Sequence, residues 1–235
     1  MSVARADPHC HTNASDGMVT PAELVDAVVK AGLELIAVCD HDTMASVHET
    51  QARGEAAGLQ VVAGQEVTTK GPAQTHILGW FLETPIARGM SVEDTVAAIH
   101  AQGGLVIIPH PFMPVYFGSI QPGMLRRLLE RERVDGIEML STVPVGSMRR
   151  KLLNEFYAAN RERLGAAIGA SDCHFGSRDL GRALTEYEGD FRTAVMEAMT
   201  KPVIGTRQRV PTGIALRQQW RALVELPIKR MRGRV

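Results

Sequence analysis

The sequence predicts an α/β fold closed into a barrel, and three observations carry that expectation. Short, nearly unbroken apolar runs alternate with helical segments about seven times, which is the signature of a parallel sheet buried on both faces. The 235 residues, 45% of them hydrophobic, suffice for one sizeable core. Histidines and carboxylates gather at or near the C-terminal ends of the strand-like runs, the face on which α/β barrels place their sites.

Residues 3–8 read as a first strand that runs into Asp7-Pro8-His9-Cys10-His11. Successive strand side chains alternate, so His9 and His11 share a face and Cys10 takes the other. Thr20-Pro21-Ala22-Glu23 opens a helix, with Thr20 as N-cap, proline at the first helical position and Glu23 three residues after the cap. Leu24, Val25, Val28 and Val29 keep helical spacing, and Gly32 ends the run. Residues 34–39 form a buried strand that ends in Asp40-His41-Asp42. A helix over 45–57 stops at Gly58, a strand over 59–67 ends near Glu66, and a strand over 75–82 carries His76. Ser91-Val92-Glu93-Asp94 caps the next helix, which closes at Gly103-Gly104, and the strand 105–108 runs into Pro109-His110-Pro111. A helix over 123–132, a strand over 134–140 holding Glu138 and a long helix over 146–163 follow. Residues 166–170 then run into Ser171-Asp172-Cys173-His174, and a last helix spans about 190–200. One barrel domain over 1–205 and a basic, partly helical tail over 206–235 are expected.

Composition narrows the function classes. The formal net charge is +0, so nothing draws the whole chain to nucleic acid. The balance is uneven: residues 207–235 carry eight Lys and Arg against the single acid Glu225. An acidic body suits cations, and the tail suits an anionic partner or surface. Ile214, Leu216, Trp220, Leu223 and Val224 give the tail an imperfect helical stripe, read first as a helix packed on the barrel. Cys10, Cys39 and Cys173 are too few for a disulfide framework and read as small buried hydrophobes. No apolar run precedes Asp7 and none reaches the ~18 residues of a membrane span. A cytoplasmic protein without a transmembrane segment is expected.

Six of the eight histidines, His9, His11, His41, His76, His110 and His174, sit at or near strand ends. A lone strand-end histidine is usually a satisfied structural residue. Six of them beside Asp16, Glu66 and Asp172 point to metal. Asp172 and His174 repeat the i, i+2 spacing of His9 and His11. Nitrogen and oxygen donors without thiolate fit Mn, Zn or Fe, and these nine residues supply enough for two or three divalent ions.

Asp7-x-His9-x-His11, Ser15-Asp16-Gly17, Asp40-His41-Asp42, Glu66, His76, His110-Pro111 and Asp172-x-His174 together resemble the PHP (polymerase and histidinol phosphatase) family of metal-dependent phosphoesterases, from about residue 3 to 188. The resemblance implies a distorted (β/α)7 barrel with a two- or three-metal centre in its mouth. It implies one ion on His9, His11, Glu66 and Asp172, a second on Glu66, His76 and His110, and a third on Asp16, His41 and His174. Asp7 and Asp40 read as partners that orient ligating imidazoles, and Asp40 or Asp42 as the group that moves a proton to the leaving oxygen. Arg178, in the loop after His174, is the first choice for holding phosphate, with Lys70 and Arg182 behind it. Glu138, on the sixth strand, is a further candidate, for touching substrate, supporting the structure or touching metal. The apolar, aromatic loop 112–117 reads as a lid, a pocket wall or simple rim packing.

The expected activity is hydrolysis of a small phosphomonoester, such as a nucleotide or sugar phosphate, by water that the metal activates. A nuclease acting on the end of an RNA or DNA strand is the alternative, favoured by the basic tail. A non-catalytic metal-binding module is the third reading, and the complete ligand set argues against it. A metallohydrolase cleaving a C–N bond on a related barrel is a further reading, disfavoured because Lys70 is the only lysine near a strand end and no obvious metal-bridging lysine is present.

Overall fold

The structure, a computed structural model, describes residues 2–113, 118–140, 146–206, 211–225 and 228. Residues 114–117 of the aromatic loop and 207–210, 226, 227 and 229–235 of the basic tail lie outside the described residues, so the lid reading and most of the anionic-partner reading fall there.

The described residues form nine strands: β1 (Val3–Cys10), β2 (Leu35–Val38), β3 (Gln60–Thr68), β4 (His76–Trp80), β5 (Leu105–Ile108), β6 (Gly136–Leu140), β7 (Ala166–Gly169), β8 (Ala183–Glu188) and β9 (Lys201–Ile204). The helices are α1 (Pro21–Ala31), α2 (Val47–Ala56), α3 (Val92–Ala101), α4 (Pro122–Arg131), α5 (Ser147–Leu164), α6 (Phe191–Met196) and α7 (Thr212–Trp220). One sheet runs in the order β7-β6-β5-β4-β3-β2-β1-β8-β9. It closes on itself almost completely. Past β7, Cys173 returns to β1: the His11 N–H donates to Cys173 O at 2.8 Å, and the Cys173 N–H to His9 O at 3.0 Å. Below them, the Thr185 hydroxyl on β8 donates to Gly169 O and accepts the Gly169 N–H.

The expected α/β barrel is therefore present, with two departures from seven parallel units. β3 and β4 are joined without a helix, so β4 runs antiparallel to both β3 and β5. β8 and β9 add an antiparallel pair after β1, where only a helix over 190–200 was expected, and that helix is the shorter α6.

The elements form for local reasons. Thr20 makes the full capping box at α1: its side chain accepts from the Glu23 N–H, and the Glu23 carboxylate accepts from the Thr20 N–H. Gly32 takes the left-handed conformation with φ 64° that ends the helix. β2 and β5 are buried at every residue, as central strands covered by helices on one side and by the barrel interior on the other must be. Inside, Leu35, Ala37, Leu78, Trp80, Leu105, Ile107, Ile168, Tyr187 and Phe191 fill the lower barrel, so the polar residues above them stand on a packed floor. No helix among the described residues is long and apolar enough to cross a membrane.

Candidate metal centre

The site begins with an irregularity in β1. Ala6 pairs with Leu35 and Asp7 with Ile36, but Cys10 pairs with Val38, so β1 carries one residue more than β2 over this span. Strict alternation would put Ala6 and Cys10 on one face. The extra residue instead leaves Ala6 in the barrel interior and Cys10 among the helix-facing side chains. It thereby turns His9 and His11 into the mouth, the re-aiming that bulges perform beside sites. Cys10 and Cys173 pack in that outer layer and Cys39 inside, all three buried and unbonded.

Glu66 on β3 stands at the centre, with its two oxygens facing different imidazoles. Oε2 lies 3.3 Å from His9 Nε2, 3.3 Å from His11 Nε2 and 3.4 Å from His41 Nδ1. Oε1 lies 2.8 Å from His76 Nδ1 and 3.0 Å from His110 Nε2. His76 opens β4. Because β4 runs antiparallel, its first residue reaches the same rim as the last residues of its parallel neighbours. Asp172 Oδ1 stands 3.4 Å from His9 Nε2 and 3.2 Å from His11 Nε2, and Asp16 Oδ1 stands 3.2 Å from His174 Nε2. All nine residues picked out in the sequence thus converge. Among the described residues, three sets have donor atoms mutually within 4.8 Å: His9, His11, Glu66 and Asp172; His11, Asp16, His41 and His174; and His41, Glu66 and His76.

The donor set fits a divalent cation on geometric grounds. His9 Nδ1 faces Glu138 Oε1 at 2.8 Å, so the neutral ring carries its proton there and turns the Nε2 lone pair inward. That lone pair meets His11 Nε2 at 3.0 Å. Within the same group the buried Asp172 Oδ1 makes no hydrogen bond, and neither does His11 Nδ1. Donor atoms gathered this closely, two of them without a hydrogen bond, suit a cation held between them. Electrostatics agree. Burial works against charge on every group here, yet the facing carboxylates hold His9 and His174 well above the ordinary imidazole value. The facing imidazoles likewise hold Asp16, Glu66 and Asp172 below the usual carboxylate range against burial. Burial carries His41 the other way, down to about 4.

The supporting residues differ from several expectations. Glu138, whose sequence reading left substrate, support and metal open, is buried with both oxygens engaged, Oε1 by His9 and Oε2 by the His110 N–H at 2.7 Å. It positions two imidazoles. Asp40, read as orienting an imidazole or moving a proton, instead pins the loop after His11. It accepts from the Thr12 N–H at 2.8 Å, the Thr12 hydroxyl at 2.7 Å, the Ser15 hydroxyl at 2.5 Å and the Ser46 hydroxyl. Asp42, the other proton-transfer candidate, accepts the Thr68 N–H at 2.7 Å and faces Arg88 at 3.6 Å, so it ties its loop to β3. Asp7 accepts from the Ser171 and Gly181 N–H groups rather than from an imidazole.

Backbone strain gathers here as well. Asp42, His110, Phe112 and Asp172 all have positive φ, at 55°, 29°, 64° and 53°. Arg178 and Lys70, the phosphate candidates, are exposed, Arg178 on a short 3-10 turn four residues past His174. Phe112 and Met113 are buried and Phe112 packs edge-on against Phe156, so this part of the aromatic loop is rim packing. Sequence reasoning missed three contributors. Arg149 on α5 donates to the Pro111 carbonyl from Nε at 2.8 Å. Gln218 on α7 donates to Asp16 Oδ2 at 2.8 Å, and Arg221 donates to the carbonyls of Asn13 and Ser15. Ordinary surface polar residues on helices carry no sequence signal of such contacts.

The chain is similar to known proteins in sequence and in fold. The 3′,5′-nucleoside bisphosphate phosphatase of Chromobacterium violaceum is 33% identical over 203 residues, covering 78% of this chain and 71% of that protein. A 5′-3′ exoribonuclease of Haemophilus influenzae is 38% identical over 74 residues, which is 31% of this chain and 27% of the nuclease. In fold, a two-domain Bacteroides vulgatus protein, described as containing a predicted PHP-like metal-dependent phosphoesterase, superposes with a TM-score of 0.73 at 19% identity over 94% of this chain and 70% of its own. The model of the PHP domain matches residues 7–175, the span from Asp7 through Asp172 and His174 that supplies all nine converging side chains, and the chain belongs to the PHP domain family.

Proposed function

We propose that this chain is a metal-dependent phosphoesterase that hydrolyses a phosphomonoester of a small metabolite, nucleotide or sugar phosphate. The observation that supports this most is Glu66, whose two oxygens are divided between opposite groups of imidazoles. A carboxylate so placed can tie neighbouring ions together. In this reading His9, His11, Glu66 and Asp172 hold one ion, Glu66, His76 and His110 a second, and Asp16, His41 and His174 a third, with Mn, Zn and Fe all suited to such donors. Divalent ions bound there supply Lewis acidity toward phosphoryl oxygens and lower the pKa of bound water. The protein's own part is to fix the donors. Glu138 sets the tautomer of His9, Asp40 and Asp7 hold the loops that carry ligands, and the packed floor keeps water out from below. Arg178, in the exposed turn after His174, is assigned to the phosphate, with Lys70 as a second cation on the rim.

A second reading, hydrolysis at the end of an RNA or DNA strand, draws on the likeness to the Haemophilus influenzae exoribonuclease. One experiment separates the two. Phosphate release is measured over phosphorylated metabolites, nucleoside bisphosphates and short 5′-phosphorylated oligonucleotides, each with Mn, Zn and Fe. Turnover of small monoesters with no shortening of the oligonucleotides supports the first reading. Processive shortening of the oligonucleotides overturns it in favour of the second.

A further inference from the structure

The C-terminal helix reaches the metal centre from far along the chain. α7 is an odd helix for a barrel surface. Leu216 and Trp220 point outward, 66% and 59% exposed, as does Leu223 in the turn beyond it at 70%, while Ile214 and Ala215 are half-buried and the one buried residue of α7 is Gln218. Polar groups hold it down. The Gln218 amide N–H donates to Asp16 Oδ2 at 2.8 Å. The Arg221 guanidinium donates to Ser15 O at 3.1 Å and to Asn13 O at 2.6 Å, on the loop that carries Asp16. The orientation of the Gln218 amide follows from its other partner, since Gln219 Nε2 donates to Gln218 Oε1 at 3.1 Å. The NH2 end is therefore the one that faces Asp16.

This contact divides the carboxylate of Asp16. Oδ2 is taken by Gln218, and Oδ1 is turned toward the imidazoles, 3.2 Å from His174, 3.7 Å from His41 and 3.9 Å from His11. We propose that Gln218 is a positioning residue of the metal centre: its amide locks the outer oxygen of Asp16 so that the inner oxygen is held toward His174 and His41 as a single ligand. A free carboxylate would rotate, or would turn the outer oxygen to water. The inference rests on the reading of Asp16, His41 and His174 as a metal group. It makes retention of one ion depend on a residue 202 positions from the ligand it serves. The wider consequence is that the tail is a working part of the site, and Arg221 pins the loop from the turn that follows α7.

The test is a metal titration of the full chain, stripped with EDTA and loaded with Mn, read as bound ions per chain by elemental analysis after equilibrium dialysis. Gln218→Leu keeps the bulk of the side chain and removes the donor, and Gln218→Glu keeps the shape and replaces the donor with an acceptor. Both are expected to weaken one ion, the one assigned to Asp16, His41 and His174, about 10- to 100-fold and to leave the others unchanged. The melting temperature of the EDTA-treated protein checks that each variant folds. Asp16→Asn is expected to weaken the same ion, and the double variant Asp16→Asn/Gln218→Leu to show less than the sum of the two effects. Mn affinity of Gln218→Leu within twofold of wild type, or fully additive effects, overturns the proposal. Wild-type protein that binds no ion overturns the metal reading itself, so the two failures are distinguishable.

Discussion

His9 Nδ1 lies 2.8 Å from Glu138 Oε1, and the other oxygen of Glu138 accepts the His110 backbone N–H at 2.7 Å. One buried carboxylate thus orients an imidazole on β1 and fixes the strained backbone of a second imidazole after β5. Glu138→Gln keeps the shape but presents an NH2 to one of two donors. Metal affinity is expected to fall about 10- to 100-fold, the usual effect of losing a partner behind a ligand. Calorimetric titration checks this, and unchanged affinity contradicts the positioning role.

Gly118 makes a different demand. A Cβ there would lie 2.5 Å from His76 Cε1, and the backbone φ is +96°, which side-chain-bearing residues avoid. The Gly118 carbonyl also accepts the His76 N–H at 2.7 Å, so the two segments cannot simply part. Gly118→Ala is expected to destabilise the fold by about 1–3 kcal/mol through overpacking and to weaken metal held through His76. Urea unfolding and Mn titration of the same variant measure both.

Binding to the folded state alone should stabilise it. At a free metal concentration a hundredfold above its dissociation constant, one ion adds about 2.7 kcal/mol. Thermal melts of stripped protein with rising Mn are expected to shift upward in wild type and much less in Asp172→Ala. Equal shifts in the two proteins contradict the assignment of Asp172 as a ligand.

Away from the site, Asp190 caps α6 by accepting the Thr193 N–H and hydroxyl, and these bonds hold its carboxyl below the usual value. A depressed folded pKa contributes stability above the unfolded pKa, lost as pH falls through the folded one. Asp190→Ala is expected to cost about 0.5–2 kcal/mol at pH 7, with the gap to wild type narrowing below about pH 4. Denaturant melts at both pH values check the sign.

The barrel was legible because its signals are local. Continuous apolar runs mark β2 and β5, and the capping box marks α1. The antiparallel β4 was half legible: no helical pattern separates it from β3, and that absence dictates reversal. β8 and β9 carry no such signal, because ALTEYE and KPVI mix charged and polar residues with apolar ones instead of forming a continuous apolar run, and β9 includes a proline. In the site, the nine converging side chains announced themselves through residue type and position at strand ends. The β1 bulge did not, since simple alternation already put His9 and His11 on one face and gave no hint that the face had to be switched. The roles of Glu138, Asp40 and Asp42 depend on which donors surround them, which spacing does not encode. Gln218 lay beyond reach for the same reason, because an amide on a helix gives no sign of the loop it will meet.

The central claim is that the nine converging residues form a hydrolytic metal centre with Glu66 at its hub. The most direct measurement is phosphate release from nucleoside bisphosphates and simple aryl phosphates by EDTA-stripped protein, before and after Mn is restored, for wild type and for Glu66→Gln. The account predicts no turnover when stripped, recovery in wild type and none in Glu66→Gln. Turnover by stripped protein, or full recovery in Glu66→Gln, would contradict it.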